Sequence, residues 1–319
     1  MTDERVIAMD LGGTKLLTGL VGRDGVVVRR TVAETVKSSQ KELVAQIEAS
    51  IDEQVEDGVV GIGIGVCSLI DQRSGEAVSS VNVPIQGVPL RERVRKRHGL
   101  PIGVENDANA AALAEHVFGA GRGSEHMVML TLGTGIGGGL ILNGQLYRGA
   151  YGAAAELGHI TIDLDGPPCQ GTCPGLGHLE VLASGSAAGA LAAEAAAERP
   201  EGGLGRAAAE GRELDAMLAV ELAREGDEDA REVLARIGRR LGVAIASYVN
   251  IFNPELVVLG GGFSRAAELI VEPALEVVRE RALEPSRSTV RIALAILGVE
   301  AGLIGAGLIG FEAADAARA

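Results

Sequence analysis

A pattern that occurs twice constrains this chain more than any other feature. Residues 6–10 form an apolar run, residues 11–14 a glycine turn, residues 15–21 a second apolar run, Asp24-Gly25 a turn and residues 26–30 a third run. The same order returns as residues 127–132, the glycine loop 133–137, residues 138–142, Asn143-Gly144 and residues 145–147. Asp-Gly and Asn-Gly between strand-like runs mark two-residue hairpins, so each set predicts three strands that are consecutive antiparallel neighbours. Two widely separated sets predict two halves on one plan, each opening with a glycine loop whose N–H groups can grip a phosphate. Plain glycine turns are the alternative. The second loop, Gly133-Thr134-Gly135-Ile136-Gly137-Gly138, also satisfies G-x-G-x-x-G. That fingerprint needs a helix after the loop, and a hairpin follows here, so the dinucleotide reading is rejected.

Between the two sets the sequence predicts a helix at 40–55, a buried strand at 59–66, the segment Val81-Asn82-Val83-Pro84 and a short basic helix. Then Glu105-Asn106-Asp107-Ala108-Asn109 stands where an apolar run, 100–104, gives way to an Ala-rich helix. Ligands of open α/β sheets collect at such strand ends, where the next helix presents unpaired N–H groups. A carboxylate there can take the proton of a hydroxyl that attacks a phosphoryl group, an effect of about 10² to 10⁴ in rate. Taken alone, Asp107 is more readily read as a helix cap, since Asn and Asp are favoured N-cap residues. Beyond the second hairpin lie a Pro-, Gly- and Cys-rich insertion at 165–177, helical patterns over 186–251, and a strand at 256–259. Gly260-Gly261-Gly262 is then read as opening a helix to about residue 282, and a last helix starts near residue 301.

Composition narrows the function classes. Only 2% of the 319 residues are aromatic, so the core must rest on Val, Ile, Leu and Ala. A net charge of −14 argues against a nucleic-acid partner and for a freely diffusing protein. The one dense basic run, 91–97, is interrupted by Glu92 and Val94 and reads as a solvated helix face. No signal peptide is legible after the acidic start Met1-Thr2-Asp3-Glu4, and the longest apolar run, 59–70, is too short for a membrane span, so the chain is expected in the cytoplasm with no membrane partner. Three cysteines cannot all pair within one chain. Two of them lie beside histidines, which favours a metal site over a disulfide.

The motifs Asp10-Leu11-Gly12-Gly13-Thr14-Lys15, Glu105-Asn106-Asp107-Ala108-Asn109, the loop 133–139, Glu156-Leu157-Gly158-His159 and Gly260-Gly261-Gly262 together resemble the ROK family of sugar kinases and sugar-responsive repressors, over nearly the whole chain. The resemblance implies an α/β, two-domain actin-like ATPase (ribonuclease H-like) fold with a cleft between domains. The small domain is expected at 1–118, with helix 301–319 packing back on it, and the large domain at 119–300. The implied activity is ATP-dependent phosphorylation of the 6-hydroxyl of a hexose, glucose foremost, with Asp107 as general base. Mannose, fructose, N-acetylmannosamine and N-acetylglucosamine remain open as substrates. Asn106, Glu156, His159 and Glu180 would bind the sugar hydroxyls, with Asn82 as a further sugar-side candidate. ATP with Mg²⁺ would be held by Gly12, Gly13, Thr14 and Lys15, by Thr134 and Gly135, and by Gly261 and Gly262 facing the adenosine, while Asp10 helps to position the water shell of the metal. Loop 133–139 looks more like that of ATP users than of polyphosphate users. A homo-oligomer, dimer or tetramer, is also implied.

Departures from the family pattern fall around the sugar side. Many members carry a His and then Cys-x-Cys-Gly-x-x-Gly-Cys-x-Glu, whereas this chain has Gly171 at the first expected Cys and His178 at the third. His159, Cys169, Cys173 and His178 still form a Cys₂His₂ set that tetrahedral Zn²⁺ accepts, with a metal-free glycine loop as the alternative. Cys67-Ser68 stands where Pro-Gly is common, and Ala155 where Gly usually precedes Glu156. Repressors of the family carry an N-terminal winged helix, for which the residues before Val6 leave no room, so catalysis is expected over repression. The sugar-ligand set around Glu156 and His159 disfavours an actin-like polymerising ATPase.

Overall fold

The computed structural model describes residues 4–171 and 173–319. Met1-Thr2-Asp3 of the acidic start and Thr172 of the cysteine loop lie outside the described residues. Contacts divide the chain into two compact units. The first holds the chain as far as Gly123 together with Gly139–Ala155 and Ile296–Ala319; the second holds Ser124–Gly138 and Glu156–Ala295.

In the first unit the elements are β1 (Arg5–Leu11), β2 (Lys15–Gly22), β3 (Val27–Glu34), α1 (Gln40–Asp52), β4 (Val59–Val66), β5 (Leu69–Asp71), β6 (Glu76–Ser79), β7 (Gln86–Val88), α2 (Leu90–His98), β8 (Ile102–Asn106) and α3 (Asp107–Val117). The main sheet runs β3-β2-β1-β4-β8. β1, β2 and β3 are consecutive antiparallel neighbours, as the Asp-Gly turn predicts, and β1, β4 and β8 are parallel. β3 extends four residues past the run read from sequence. Pairing with β2 as far as Lys15 opposite Glu34 carries it, although its side chains are largely exposed and its polar residues hide the period. α1 stops at Asp52 rather than 55 because the amides of Gln54 and Val55 bond three residues back, tightening the last turn.

β4 shows how the sequence sets the layers. Ile62, Ile64 and Val66 enter the cluster shared with Leu43, Ile47 and Ile51 of α1. Gly61 and Gly63 point the other way, where a Cβ at Gly63 would overlap the Ala306 carbonyl of the helix named below as α11. Backbone therefore packs on backbone, and the glycine alternation that interrupts the apolar run is what lets a helix lie on the sheet.

The second unit opens with β9 (Met127–Leu132) and the start of β10 (Ile136–Leu142); the chain passes along β10 into the first unit for β11 (Gln145–Leu146). It returns for α4 (Leu179–Ala183), α5 (Gly185–Glu198), α6 (Gly203–Ala209), α7 (Ala216–Glu225), α8 (Glu228–Phe252), β12 (Leu256–Gly260), α9 (Ala267–Arg281), α10 (Ser286–Thr289) and β13 (Arg291–Leu294). α11 (Ala301–Ala316) then closes the chain in the first unit. The second sheet runs β11-β10-β9-β12-β13. Both sheets thus place their third, second, first, fourth and fifth strands in the same order, as the repeated pattern predicts. β10 starts two residues earlier than read and absorbs Ile136 and Gly137.

Gly260-Gly261-Gly262 does not open the helix directly: a 3-10 turn, Gly262–Ala266, comes first. β13 and the small sheet β5-β6-β7 were not legible as strands. Among the described residues no helix is long and apolar enough to cross a membrane.

Candidate active site

In the first unit, β1, β4 and β8 finish together, with Asp10 paired to Gly65 and Gly65 to Glu105. The bare Gly65 lies between Asp10 on β1 and Glu105 on β8, the strand that delivers Asp107. Asn106 is the N-cap of α3, its Oδ1 accepting from the amides of Ala108 at 2.9 Å and Asn109 at 3.1 Å. Asp107 is therefore the first helical residue rather than the cap, with Oδ1 2.9 Å from the Ala108 amide. Nδ2 of Asn106 reaches the Ser68 carbonyl at 3.4 Å.

Burial first, and the Asp107 charge second, push the carboxyl of Asp10 up from 3.8 to about 7. The same two causes, in the same order, push the Cys67 thiol up to about 12, with Ser80 bonding to it in opposition. The glycine turn closes through the Gly12 amide on the Lys15 carbonyl at 3.0 Å, and leaves Thr14 and Lys15 exposed. Asn82 lies over it: a Cβ at Gly13 would stand 3.0 Å from that of Asn82. This end of the sheet thus gathers Asp10, the turn 12–15, Cys67, Asn82, Asn106 and Asp107.

In the second unit, Glu156 precedes a 3-10 turn, Leu157–His159, whose Leu157 carbonyl accepts the hydroxyl of the buried Tyr248 from α8. Nε2 of His159 is 3.9 Å from Glu156. Glu180, in the first turn of α4, accepts the Ile136 amide at 2.9 Å, and a Cβ at Gly135 would overlap its carboxylate. The glycine loop is pinned further by the Gly185 amide on the Gly133 carbonyl at 2.9 Å. Desolvation raises the pKa of Glu156; His159 opposes this and the Glu180 charge adds to it. Glu156, His159 and Glu180 thus form one neighbourhood beside Thr134 and Gly135. The terminal glycine pair divides. Gly261 has φ 84° and no room for a Cβ beside the Leu132 carbonyl, whereas a Cβ at Gly262 meets nothing within 4 Å.

His159, Cys169, Cys173 and His178 present ligand atoms all within 4.8 Å of one another. Nδ1 of His159 is 3.2 Å from Nδ1 of His178, 3.5 Å from Sγ of Cys169 and 3.7 Å from Sγ of Cys173, which is 3.6 Å from Nδ1 of His178. With Zn–N of about 2.0 Å and Zn–S of about 2.3 Å, a tetrahedron has edges of about 3.3 to 3.8 Å, so the four residues fit such an ion. The loop is shaped by backbone bonds between Cys169 and Gly175, between Ile162 and Gly177, and between Leu179 and Ile160. The His178 ring lies where a Cβ on Gly175 would be. Desolvation, then His159, lowers the pKa of His178.

Glu105, Arg148, Ser80 and Tyr248 were given no role by the sequence. The only signal for Glu105 is a charge ending an apolar strand; the others have none, because their partners are remote in the chain.

A family model described as the ROK family matches residues 6–311. A glucokinase from Thermotoga maritima is 38% identical over 308 residues, covering 96% of this chain and 96% of its own length. A solved ROK family glucokinase from Streptomyces griseus, in complex with glucose and AMPPNP, gives a TM-score of 0.83 at 33% identity, covering 97% of this chain and 99% of that one. A solved ROK family transcriptional regulator, a homologue of the E. coli MLC protein, gives 0.88 at 27% identity, covering 98% of this chain and 79% of that one. The mixed α/β architecture is the actin-like, ribonuclease H-like fold expected from the sequence.

Proposed function

The chain belongs to the ROK family, and from that premise we propose that it is an ATP-dependent hexose kinase, with glucose as the preferred acceptor and Asp107 as the general base. The observation that carries the reading is the cap. Asn106 takes the capping role, which leaves Asp107 at the strand end beside Asp10. Asp107 would accept the proton of the sugar 6-hydroxyl as that oxygen attacks the γ-phosphorus, with ADP leaving. Asn106, Asn82, Glu156, His159 and Glu180 would bind the remaining hydroxyls, a mode of recognition that discriminates strongly against analogues lacking one. The turn 12–15, Thr134 and Gly135 would hold phosphates, and Gly261 and Gly262 would face the adenosine. Mg²⁺, positioned with help from Asp10, would neutralise phosphate charge. An acidic chain with net charge −14 suits a cytoplasmic enzyme without a nucleic-acid partner, and a homo-oligomer belongs to the same reading.

The Cys₂His₂ cluster would hold a structural Zn²⁺. Nδ1 of His159 faces the cluster while Nε2 faces Glu156, so an ion on the first nitrogen would fix the tautomer and direction of the second. The test is ADP production over a hexose panel with Mg-ATP, beside the Asp107→Asn variant. Turnover of glucose, lost about 10²-fold or more in the variant while glucose still binds, is the expected result. Absence of turnover with every hexose, despite bound ATP, would favour a sugar-sensing regulator and overturn the kinase.

A further inference from the structure

We propose that Arg148 is a positioning residue for the phosphoryl-transfer site, acting on Asp107 through the buried carboxylate of Glu105. The inference rests on the reading of Asp107 as base. Glu105 is fully buried, two residues before Asp107. Its Oε1 accepts from the Asn106 amide at 3.0 Å and from Nδ2 of Asn109 at 3.1 Å, so one oxygen bridges the residues on either side of Asp107. Its Oε2 accepts from Nε of Arg148 at 2.6 Å. A carboxylate taken wholly out of water needs a cation and satisfied lone pairs, and Arg148 supplies the cation. Without it, the uncompensated buried charge would draw Glu105 toward water, and that movement releases the first turn of α3.

A second fastening joins the same two stretches of chain. Gln72 donates through Nε2 to the carbonyl of Val104, the neighbour of Glu105, at 3.0 Å, and through its amide to the Tyr151 carbonyl at 3.1 Å. The Arg73 guanidinium lies 4.2 Å over the Tyr151 ring. Residues 148–151 are thus held to β8 at consecutive positions, which fixes where the Arg148 side chain starts. The other arm of Arg148 reaches Glu312 of α11 at 2.9 Å, but that carboxylate is half exposed and contributes little.

A stabilising ion pair with no part in positioning would lower the melting temperature and leave the kinetics of each folded molecule unchanged. Displacement of a reacting group by about 1 Å costs about 10²-fold in rate. The experiment compares the wild type, Arg148→Ala, Arg148→Lys and Glu312→Gln, well below the lowest melting temperature, with folding checked by circular dichroism. The expected result for Arg148→Ala is a kcat about 10- to 100-fold lower and a raised KM for hexose, with KM for ATP unchanged and activity partly restored by guanidinium at a non-denaturing concentration. Glu312→Gln should match the wild type. If Arg148→Ala does not fold, Arg148→Lys decides, because it keeps the charge without the planar fork: about a 10-fold fall in kcat supports the proposal. Wild-type constants in a folded Arg148 variant overturn it while leaving the kinase reading intact. A wild-type protein that turns over no hexose brings down both, and that failure is visible before any variant is made.

Discussion

Replacing Asp10 with Asn should make the magnesium-free protein more stable at neutral and alkaline pH, and the gain can be worked from the site. In the unfolded chain this carboxyl ionises near 3.8; in the fold, burial and then Asp107 lift it to about 7. Below the lower value both states are protonated and nothing is lost. As pH rises the unfolded chain gives up its proton first, which draws the equilibrium toward unfolding, and the cost is complete once the folded carboxyl has ionised above about 7. At about 1.36 kcal/mol per pH unit the full cost is about 4 kcal/mol. Two features reduce it. Asp10 keeps partial solvent exposure, and its carboxylate abuts Gly302 in the first turn of α11, where a helix N-terminus favours negative charge. About 2 kcal/mol is the expected gain, or about 3 °C in melting temperature for a chain of 319 residues.

Scanning calorimetry of both proteins in magnesium-free buffer, at intervals between about pH 5 and pH 8, measures it. The advantage of Asp10→Asn should shrink steadily as pH falls, since the cost it removes shrinks. On the proposed reading the same variant should lose ADP production, because the charge that destabilises the fold is the one that would position Mg²⁺. An Asp10→Asn protein no more stable than wild type at the alkaline end, or one whose advantage is the same at every pH, would refute the reasoning.

Gly262→Ala should leave the melting temperature unchanged, since a Cβ there meets nothing, and raise KM for ATP several-fold if adenosine lies on that bare backbone. Gly262→Ala with wild-type KM for ATP would remove the residue from the nucleotide site. Elemental analysis should find about one zinc per chain, and stripping it with a strong chelator should lower the melting temperature and hexose affinity together, both returning with added Zn²⁺. Full activity in protein shown to contain no zinc would defeat that assignment.

The parts of the fold that could be read in sequence are those decided locally. Asp24-Gly25 and Asn143-Gly144 set their hairpins through the backbone angles those residues tolerate, so two sheets with matching strand order were within reach. β3 beyond Arg30, β13 and the small sheet β5-β6-β7 are strands because of what they pair with, and no periodicity in so few residues reports that. The site divides in the same way. Cys169 and His178 were legible as members of one cluster because four residues of ligand type remained near one another even where the family's spacing did not. Glu105 and Arg148 were not, because they stand 43 positions apart and meet only through the fold.

The hardest question lay between two adjacent residues. Asn106 and Asp107 both suit an N-cap, and their preferences are too close to rank. What separates them is the strand before them. β8 pairs with β4 as far as Val66 opposite Asn106, which holds Asn106 extended at ψ 144° and makes it the last residue outside the helix. Had the register of β8 run one residue further, Asp107 would have been the cap and its carboxylate would have turned onto the amides two and three residues on, as Asn106 Oδ1 does now, in place of its single bond to the Ala108 amide. The role proposed for Asp107 therefore depends on a strand register, and the bonds from Arg148 and Gln72 act on the two residues, Glu105 and Val104, where that strand is about to end.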